Sequence, residues 1–172
     1  KTLSDFRNFL KPSTKKVLFS ISKALNEINE IIGKQVFYSN INMNFNYKNK
    51  NEELLIYGYE NEFKQVLLNI INNAKNKIVE KNLPLNKKGE ININIQRCEN
   101  CNMIEIIDDA GAIDEKIINS IFEPYFTTKE NGMGLGLYMA KIIIEDKMKG
   151  TISVRNDKNC VIFTIKLPFK KA

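Results

Sequence analysis

Apolar residues recur at steps of three and four through Val17, Ile21, Ala24, Leu25, Ile28, Ile31 and Ile32, which predicts an amphipathic helix from about Ser13 to a stop at Gly33. Ahead of it, Leu3, Phe6 and Leu10 keep the same spacing and halt before Pro12, so residues 1–11 read as the end of a helix entering from upstream. The period then changes to two. Ile41, Met43, Phe45 and Tyr47 alternate with Asn42, Asn44 and Asn46, the mark of a half-buried strand. A turn at 48–51 and a short strand near 54–57 lead past Gly58 to a second long helix, which Asn61 is placed to cap. Its stripe is Phe63, Val66, Leu67, Ile70, Ile71, Ala74 and Ile78, while Asn69, Asn73 and Lys77 step by four along another side.

Beyond Pro84 and Gly89 the alternation returns in Ile91, Ile93 and Ile95, turns tightly at 98–101 and runs back to Ile107, with Asp108 at the strand end. A loop-rich stretch follows to Gly136, then a helix from about 137 to 147 and a closing hairpin near 150–156 and 160–167. Long helices set among hairpins predict an α+β fold. The expected form is a two-layer sandwich, with a mixed, mainly antiparallel sheet of about five strands and about three helices on one face. With 172 residues, 43% of them hydrophobic, the chain has the size of one domain and can bury a sizeable core.

Composition narrows the chemistry. The chain has no histidine, so it runs no Ser-His-Asp or Cys-His catalysis and forms no phosphohistidine on itself. Lys and Arg number 26 against 20 Asp and Glu, a net charge of +6 that would suit nucleic acid if it were clustered. Instead the lysines scatter, and the pairs Lys15-Lys16, Lys87-Lys88 and Lys170-Lys171 sit beside turns or chain ends. Neither nucleic-acid binding nor membrane contact is expected, since no apolar run reaches the roughly 18–20 residues a bilayer needs. Cys98 and Cys101 form a C-x-x-C, yet Cys160 is the only other thiol, too few for a zinc site, so they read as turn residues of a hairpin.

Four clusters, in chain order, carry chemistry suited to one nucleotide site. Asn69 and Asn73 stand one turn apart on a helix face, and a carboxamide oxygen is a hard, neutral ligand suited to magnesium that phosphates also hold. The strand end Ile106-Ile107-Asp108-Asp109-Ala110-Gly111-Ala112-Ile113 offers a carboxylate to an exocyclic amine such as adenine N6, among small residues that let a flat ring approach. Within residues 121–129, Phe122 and Phe126 can anchor a loop on the core while Thr127, Thr128 and Lys129 present donors to phosphate. Gly132-Met133-Gly134-Leu135-Gly136-Leu137 opens a helix, where backbone N–H groups can close around phosphate. Singly, each also reads as an ordinary turn, a core plug or a wet helix face.

Taken in order, the four resemble the N, G1, F and G2 boxes of the catalytic and ATP-binding domain of a sensor histidine kinase of nitrogen-regulatory-like type. That family belongs to a superfamily shared with gyrase-type topoisomerases, heat-shock chaperones and mismatch-repair ATPases. The boxes read NIINNA at 69–74, DDAGAI at 108–113, IFEPYFTTK at 121–129 and GMGLGL at 132–137, and the resemblance extends over essentially the whole chain. LSDFRNF at 3–9 is similar to the end of the second helix of the dimerisation and phosphoacceptor hairpin, and TIKLPF at 164–169 to the usual closing strand. The implied division is a hairpin end at 1–11 and a catalytic domain of Bergerat-type ATP-binding fold at 12–172.

The resemblance implies ATP and Mg2+ as ligands, with Asn69 and Asn73 as the catalytic pair, Asn73 holding the metal and Asn69 supporting it. Asp108 would bind the adenine amine, with Gly111, Ala112 and Ile113 of the same box also against the nucleotide. Phe122 and Phe126 would seat a mobile lid carrying Thr127, Thr128 and Lys129, the last a phosphate contact. Gly132, Gly134 and Gly136 would shape the phosphate loop, with Met133, Leu135 and Leu137 beside them. Asn76 stands where many relatives carry a phosphate-facing Lys or Arg and the nitrogen-regulatory type an acid, which leaves the neighbouring Lys77 either to substitute or not.

The implied reaction passes the γ-phosphoryl of ATP to a histidine on a hairpin upstream of Lys1, then to an aspartate in the receiver domain of a response regulator. The implied partners are that hairpin, the regulator and a second copy joined through the hairpin. The location would be cytoplasmic for this portion, whether or not a parent chain is membrane-anchored. Two departures from the family pattern stand out. Asn69 occupies the place of the glutamate that activates water in hydrolytic cousins, and an amide takes no proton at neutral pH, which favours a kinase. Ala112 stands where D-x-G-x-G ends in glycine, and a methyl there would cost stability or affinity if the site needed positive φ or a close backbone approach. Two further readings are a nucleotide-impaired docking module, disabled at Ala112, and a serine kinase of the anti-sigma type. Against the latter stands the segment at 1–11.

Overall fold

The computed structural model describes residues 11–169, so the helix expected over 1–11 lies outside the described residues apart from Lys11. In chain order come β1 (Val17–Ser20), α1 (Ile21–Tyr38), β2 (Ile41–Tyr47), β3 (Leu55–Gly58), α2 (Glu60–Glu80), β4 (Gly89–Arg97) and β5 (Cys101–Asp108). A 3-10 turn at Ile118–Ser120 follows, then α3 (Gly136–Lys141) running into a π turn (Ile142–Lys147), β6 (Thr151–Asp157) and β7 (Cys160–Pro168).

The alternating segments pair into a five-stranded sheet in the order β2-β4-β5-β7-β6, with a separate two-stranded β1-β3 ribbon. β2 and β4 run parallel and the other neighbours antiparallel, in a register that sets Ile93 opposite Ile106 and Ile104 opposite Ile165. Because side chains alternate across a strand, Ile91, Ile93 and Ile95 all fall on one buried face. The α1 stripe (Ile21, Leu25, Ile28, Ile32) and the α2 stripe (Phe63, Leu67, Ile70, Ile71) close over that face to make one core. On the other face the parallel edge pair is laced by asparagines, with Asn44 Nδ2 donating to Asn92 Oδ1 at 3.1 Å and Asn46 Nδ2 to Asn94 Oδ1 at 2.9 Å. Lys64, only 5% exposed, is neutralised by Glu27 and Glu60, tying α1 to α2. Among the described residues, no helix is long and apolar enough to cross a membrane.

The termini of three helices differ from the sequence expectation. Residues 17–20, read as helix, form β1 against β3, and a four-residue apolar run fits either period. The helix starts one residue later, capped by Ser20, whose Oγ accepts from the Lys23 N–H at 3.4 Å. Gly33 does not stop it. The helix runs on to Tyr38, and Asn40, at φ 59°, makes the left-handed exit. Asn61 does not cap α2 but lies in its first turn, and the cap comes from a distance, with the Asn61 N–H donating to Ser13 Oγ at 3.3 Å. The last helix begins at Gly136 and finishes with π geometry, the Met148 N–H reaching the Ile143 carbonyl at 3.0 Å. Cys98 and Cys101 are free thiols at the β4–β5 turn, closed by the Cys98 N–H on the Cys101 carbonyl at 2.7 Å. Ser20→Ala should cost about 1 kcal/mol, the usual worth of an N-cap hydroxyl, read as a lowered urea midpoint with an unchanged slope.

Candidate functional site

A cavity of about 490 Å3 opens between α2, the end of β5 and the loop that leads into α3. That volume lies within the ~300–1,000 Å3 range of small-molecule sites. Its walls come from all four sequence clusters. Asn69, Asn73 and Lys77 of α2 line it, as do Asp108, Ala112 and Ile113 from the β5 end. Phe126, Thr127, Thr128, Lys129, Gly132, Met133, Gly134, Leu135, Gly136 and Leu137 complete the loop side. Gly111 does not line the cavity. It shapes the turn instead, at φ 102°, where a side chain is strained. Phe122 also stays out of the cavity, packing edge-on against Phe163 at 6.2 Å between ring centroids, and it is Phe163 that reaches the wall.

The two adjacent acids at the end of β5 do different work. Asp109 accepts from the Glu90 N–H at 2.9 Å, fastening the turn to β4. Asp108, 3% exposed, keeps its carboxylate at the cavity and accepts only from the Ala110 N–H, at 3.0 Å, among the hydrogen bonds resolved for it. Burial pushes the Asp108 carboxyl above the ordinary carboxylate range and Asp109 adds to this, while Lys77, the Ala110 N–H and Lys81 oppose it. An acceptor so placed is matched to a donor arriving from the cavity.

At the other end, helix α3 approaches α2 so closely that a side chain at Gly136 would fall 2.6 Å from Asn69 Oδ1. The Asn69 Nδ2 group is buried there without a hydrogen-bond partner, a polar group left for a ligand to satisfy. Asn73 Oδ1 accepts from the Lys129 ammonium at 3.3 Å. The loop over 126–132 is folded on itself, with the Lys129 N–H on Thr127 Oγ1 at 3.0 Å and the Gly132 N–H on the Lys129 carbonyl at 3.2 Å. Gly134, at φ 69°, nests against the backbone of Phe126.

Ala112 is not among the residues with positive φ, so its backbone does not require glycine, and it lines the cavity. Lys77 lines the cavity, and what it holds there is a carbonyl. Its Nζ donates to the Gly111 carbonyl at 3.3 Å, beside Asp108 and away from the glycine loop. Sequence reasoning missed Ala74, Asp114, Ile117, Ile121 and Phe163 in the wall. It also missed Asn156 of β6, which grips the Ile113 backbone from both sides, accepting from its N–H at 2.9 Å and donating to its carbonyl at 2.8 Å. The one signal was an amide at an inward position of β6, in line with Ile152 and Val154.

Comparison with known proteins gives the family of the chain. Residues 58–171 match the family described as histidine kinase-, DNA gyrase B-, and HSP90-like ATPase. Sporulation kinase A of Bacillus subtilis (strain 168) is 30% identical over 171 residues, covering 98% of this chain and 27% of that protein. The chain thus spans about a quarter of the length of that relative. The solved catalytic domain of histidine kinase ThkA superposes with a TM-score of 0.79 at 28% identity, covering 90% of this chain and 96% of that one. Histidine kinase ThkA in complex with the response regulator protein TrrA gives 0.74 at 26% identity, covering 90% of this chain and 42% of that one. The chain belongs to the histidine kinase-, DNA gyrase B- and HSP90-like ATPase family, as an ATP-binding catalytic domain of the sensor histidine kinase type.

Proposed function

We propose that this chain binds ATP with magnesium in the cavity and donates the γ-phosphoryl to a histidine on a separate helical hairpin, for passage to an aspartate of a response regulator. The observation that carries the reading is the layout of one cavity, with the Asn69 and Asn73 carboxamides beside the glycine loop and the buried Asp108 carboxylate at the far end. A triphosphate and a base need those two chemistries at opposite ends. The acceptor histidine belongs to another segment or chain, since these 172 residues contain none.

The residues present suit magnesium. Asn73 Oδ1 is a hard oxygen that already accepts from a cation, the Lys129 ammonium, and Asn69 lies one turn away, its buried and unpartnered Nδ2 a donor for a phosphate oxygen and not a ligand for the metal. Bound there, the ion would neutralise phosphate charge and orient the γ-phosphoryl. The rest falls to the chain itself. Asp108 accepts from the adenine amine, Phe126 and Ile113 cover the base, and the amides of 132–137 with Thr127, Thr128 and Lys129 surround the phosphates. No group at Asn69 can take a proton from water, which favours transfer over hydrolysis. The ordinary backbone at Ala112 speaks against a disabled docking module. The complex of ThkA with TrrA supports a response regulator as the partner.

Titrating the chain with a non-hydrolysable ATP analogue tests the reading. Saturable binding strengthened by magnesium is expected, together with acid-labile phosphate on an added hairpin and none on the chain. Absence of binding at any magnesium concentration would defeat it.

A further inference from the structure

Asn69, Asn73 and Lys77 stand at successive steps of four along α2. Each step advances about 6 Å along the axis, so Lys77 lies about 12 Å beyond Asn69. Their neighbours change accordingly. Asn69 adjoins Gly136 at the head of the glycine loop, Asn73 receives Lys129 from the lid, and Lys77 reaches the Gly111 carbonyl at 3.3 Å. Lys77 therefore stands at the opposite end of the cavity from the glycine loop, on the turn that follows Asp108.

We propose that Lys77 is a positioning residue of the base subsite: its ammonium pins the Gly111 turn that follows Asp108 and so sets how the carboxylate is presented to an exocyclic amine. This role rests on the nucleotide reading above and deepens it. At φ 102°, Gly111 has the conformational freedom that glycine keeps, so the direction of its carbonyl is fixed by what binds it. Lys77 supplies that donor. The other groups that act on Asp108 are Lys81 at the C-cap of α2, Asp109 beside it and the Cys160 thiol from β7. Burial pushes both Asp108 and Cys160 up, and Asp109 pushes Asp108 the same way. Of the groups that hold the Asp108 carboxyl down, Lys77 is foremost, ahead of the Ala110 N–H and Lys81. Without Lys77, Asp108 takes up its proton at higher pH and becomes a weaker acceptor.

NMR titrations of the 172-residue chain with adenosine and with magnesium ATP, across acid pH, test the role in Lys77→Met and Lys77→Arg. The Met variant is expected to weaken both ligands by a common factor of roughly three to ten. Its acid limb of adenosine binding moves to higher pH, and Arg restores both. Weakened ATP with untouched adenosine would mark a phosphate contact and overturn the role. So would an unchanged Met variant, or a loss of affinity with the acid limb unmoved, as damage to the fold alone would give. A wild-type chain that binds neither ligand would remove the nucleotide reading itself, whereas wild-type binding beside an unshifted Met variant removes only the role of Lys77.

Discussion

Asp108→Asn is expected to abolish high-affinity ATP binding while leaving the free chain at least as stable as wild type at neutral pH. The two halves have one cause. Asp108 is 3% exposed and its pKa is raised from 3.8, chiefly by burial. A folded pKa above the unfolded one means that the native state binds the proton more tightly. The contribution of Asp108 to stability is thus full below pH 3.8 and is lost as pH rises through the raised value. At neutral pH the fold therefore carries a buried, ionised acid at some cost, and an isosteric carboxamide removes that cost while still accepting from the Ala110 N–H. Binding moves the other way. A hydrogen bond to a charged acceptor is worth about 1.5–3 kcal/mol, or roughly 10- to 150-fold in affinity, and the amide can also turn a donor toward the adenine amine. Calorimetry and thermal melts of both chains supply the test. A variant binding ATP as tightly as wild type would take the adenine role away from Asp108. The wild-type advantage should also fade in acid, as Asp108 protonates and the two chains converge.

How much of this site was legible depended on how local each determinant is. Asn69 and Asn73 are tied by helical periodicity, so their shared face followed from spacing alone. Asp108 was legible for a similar reason, being the residue at which an apolar alternation runs out into small residues. The direction of Lys77 was not legible. It shares the face of Asn69, but two helical turns separate them, and only the placement of the β5 end decides which part of the site a residue that far along α2 meets. Asn156 was hidden for a stronger reason, since its grip on Ile113 joins residues 43 apart in the chain. The errors at the front of the chain are of the same kind. Residues 17–20 take the strand period because β3 is there to pair with, and α2 needs no Asn61 cap because Ser13 supplies an oxygen from outside. Periodicity fixes faces, whereas ends and long-range clamps are set by partners that a local pattern does not contain.

Gly134→Val is expected to disable the phosphate side of the site with little change in the melting of the fold. Gly134 sits at φ 69°, where L-residues pay about 1–2 kcal/mol and a β-branched side chain fares worse. The added Cβ would stand 2.6 Å from the Phe126 carbonyl oxygen and 2.7 Å from its nitrogen, with the Tyr125 carbonyl carbon nearer still. These are backbone atoms that no rotamer change can move aside. Tyr125 is itself held at φ 64°, so this segment has little slack to absorb a shift. Either the glycine loop or the lid must move, and Phe126, Thr127, Thr128 and Lys129 share the displacement. A misplacement of ~1 Å can cost on the order of 100-fold in rate, so transfer to an added hairpin should fall by about that much. Thermal melting should stay close to wild type, because a strained surface loop can release locally without opening the core. Gly132→Ala is the matched control. Its φ is not positive, and its Cβ would meet Thr127 Oγ1 at 2.5 Å and Lys129 Cβ at 3.1 Å, so the strain is milder and is relieved by turning Thr127 at the expense of the Lys129 N–H bond. A Gly132→Ala chain as impaired as Gly134→Val would mean that bulk anywhere in this loop is harmful. Selective loss in Gly134→Val would tie the activity to the interlock between the glycine loop and the lid.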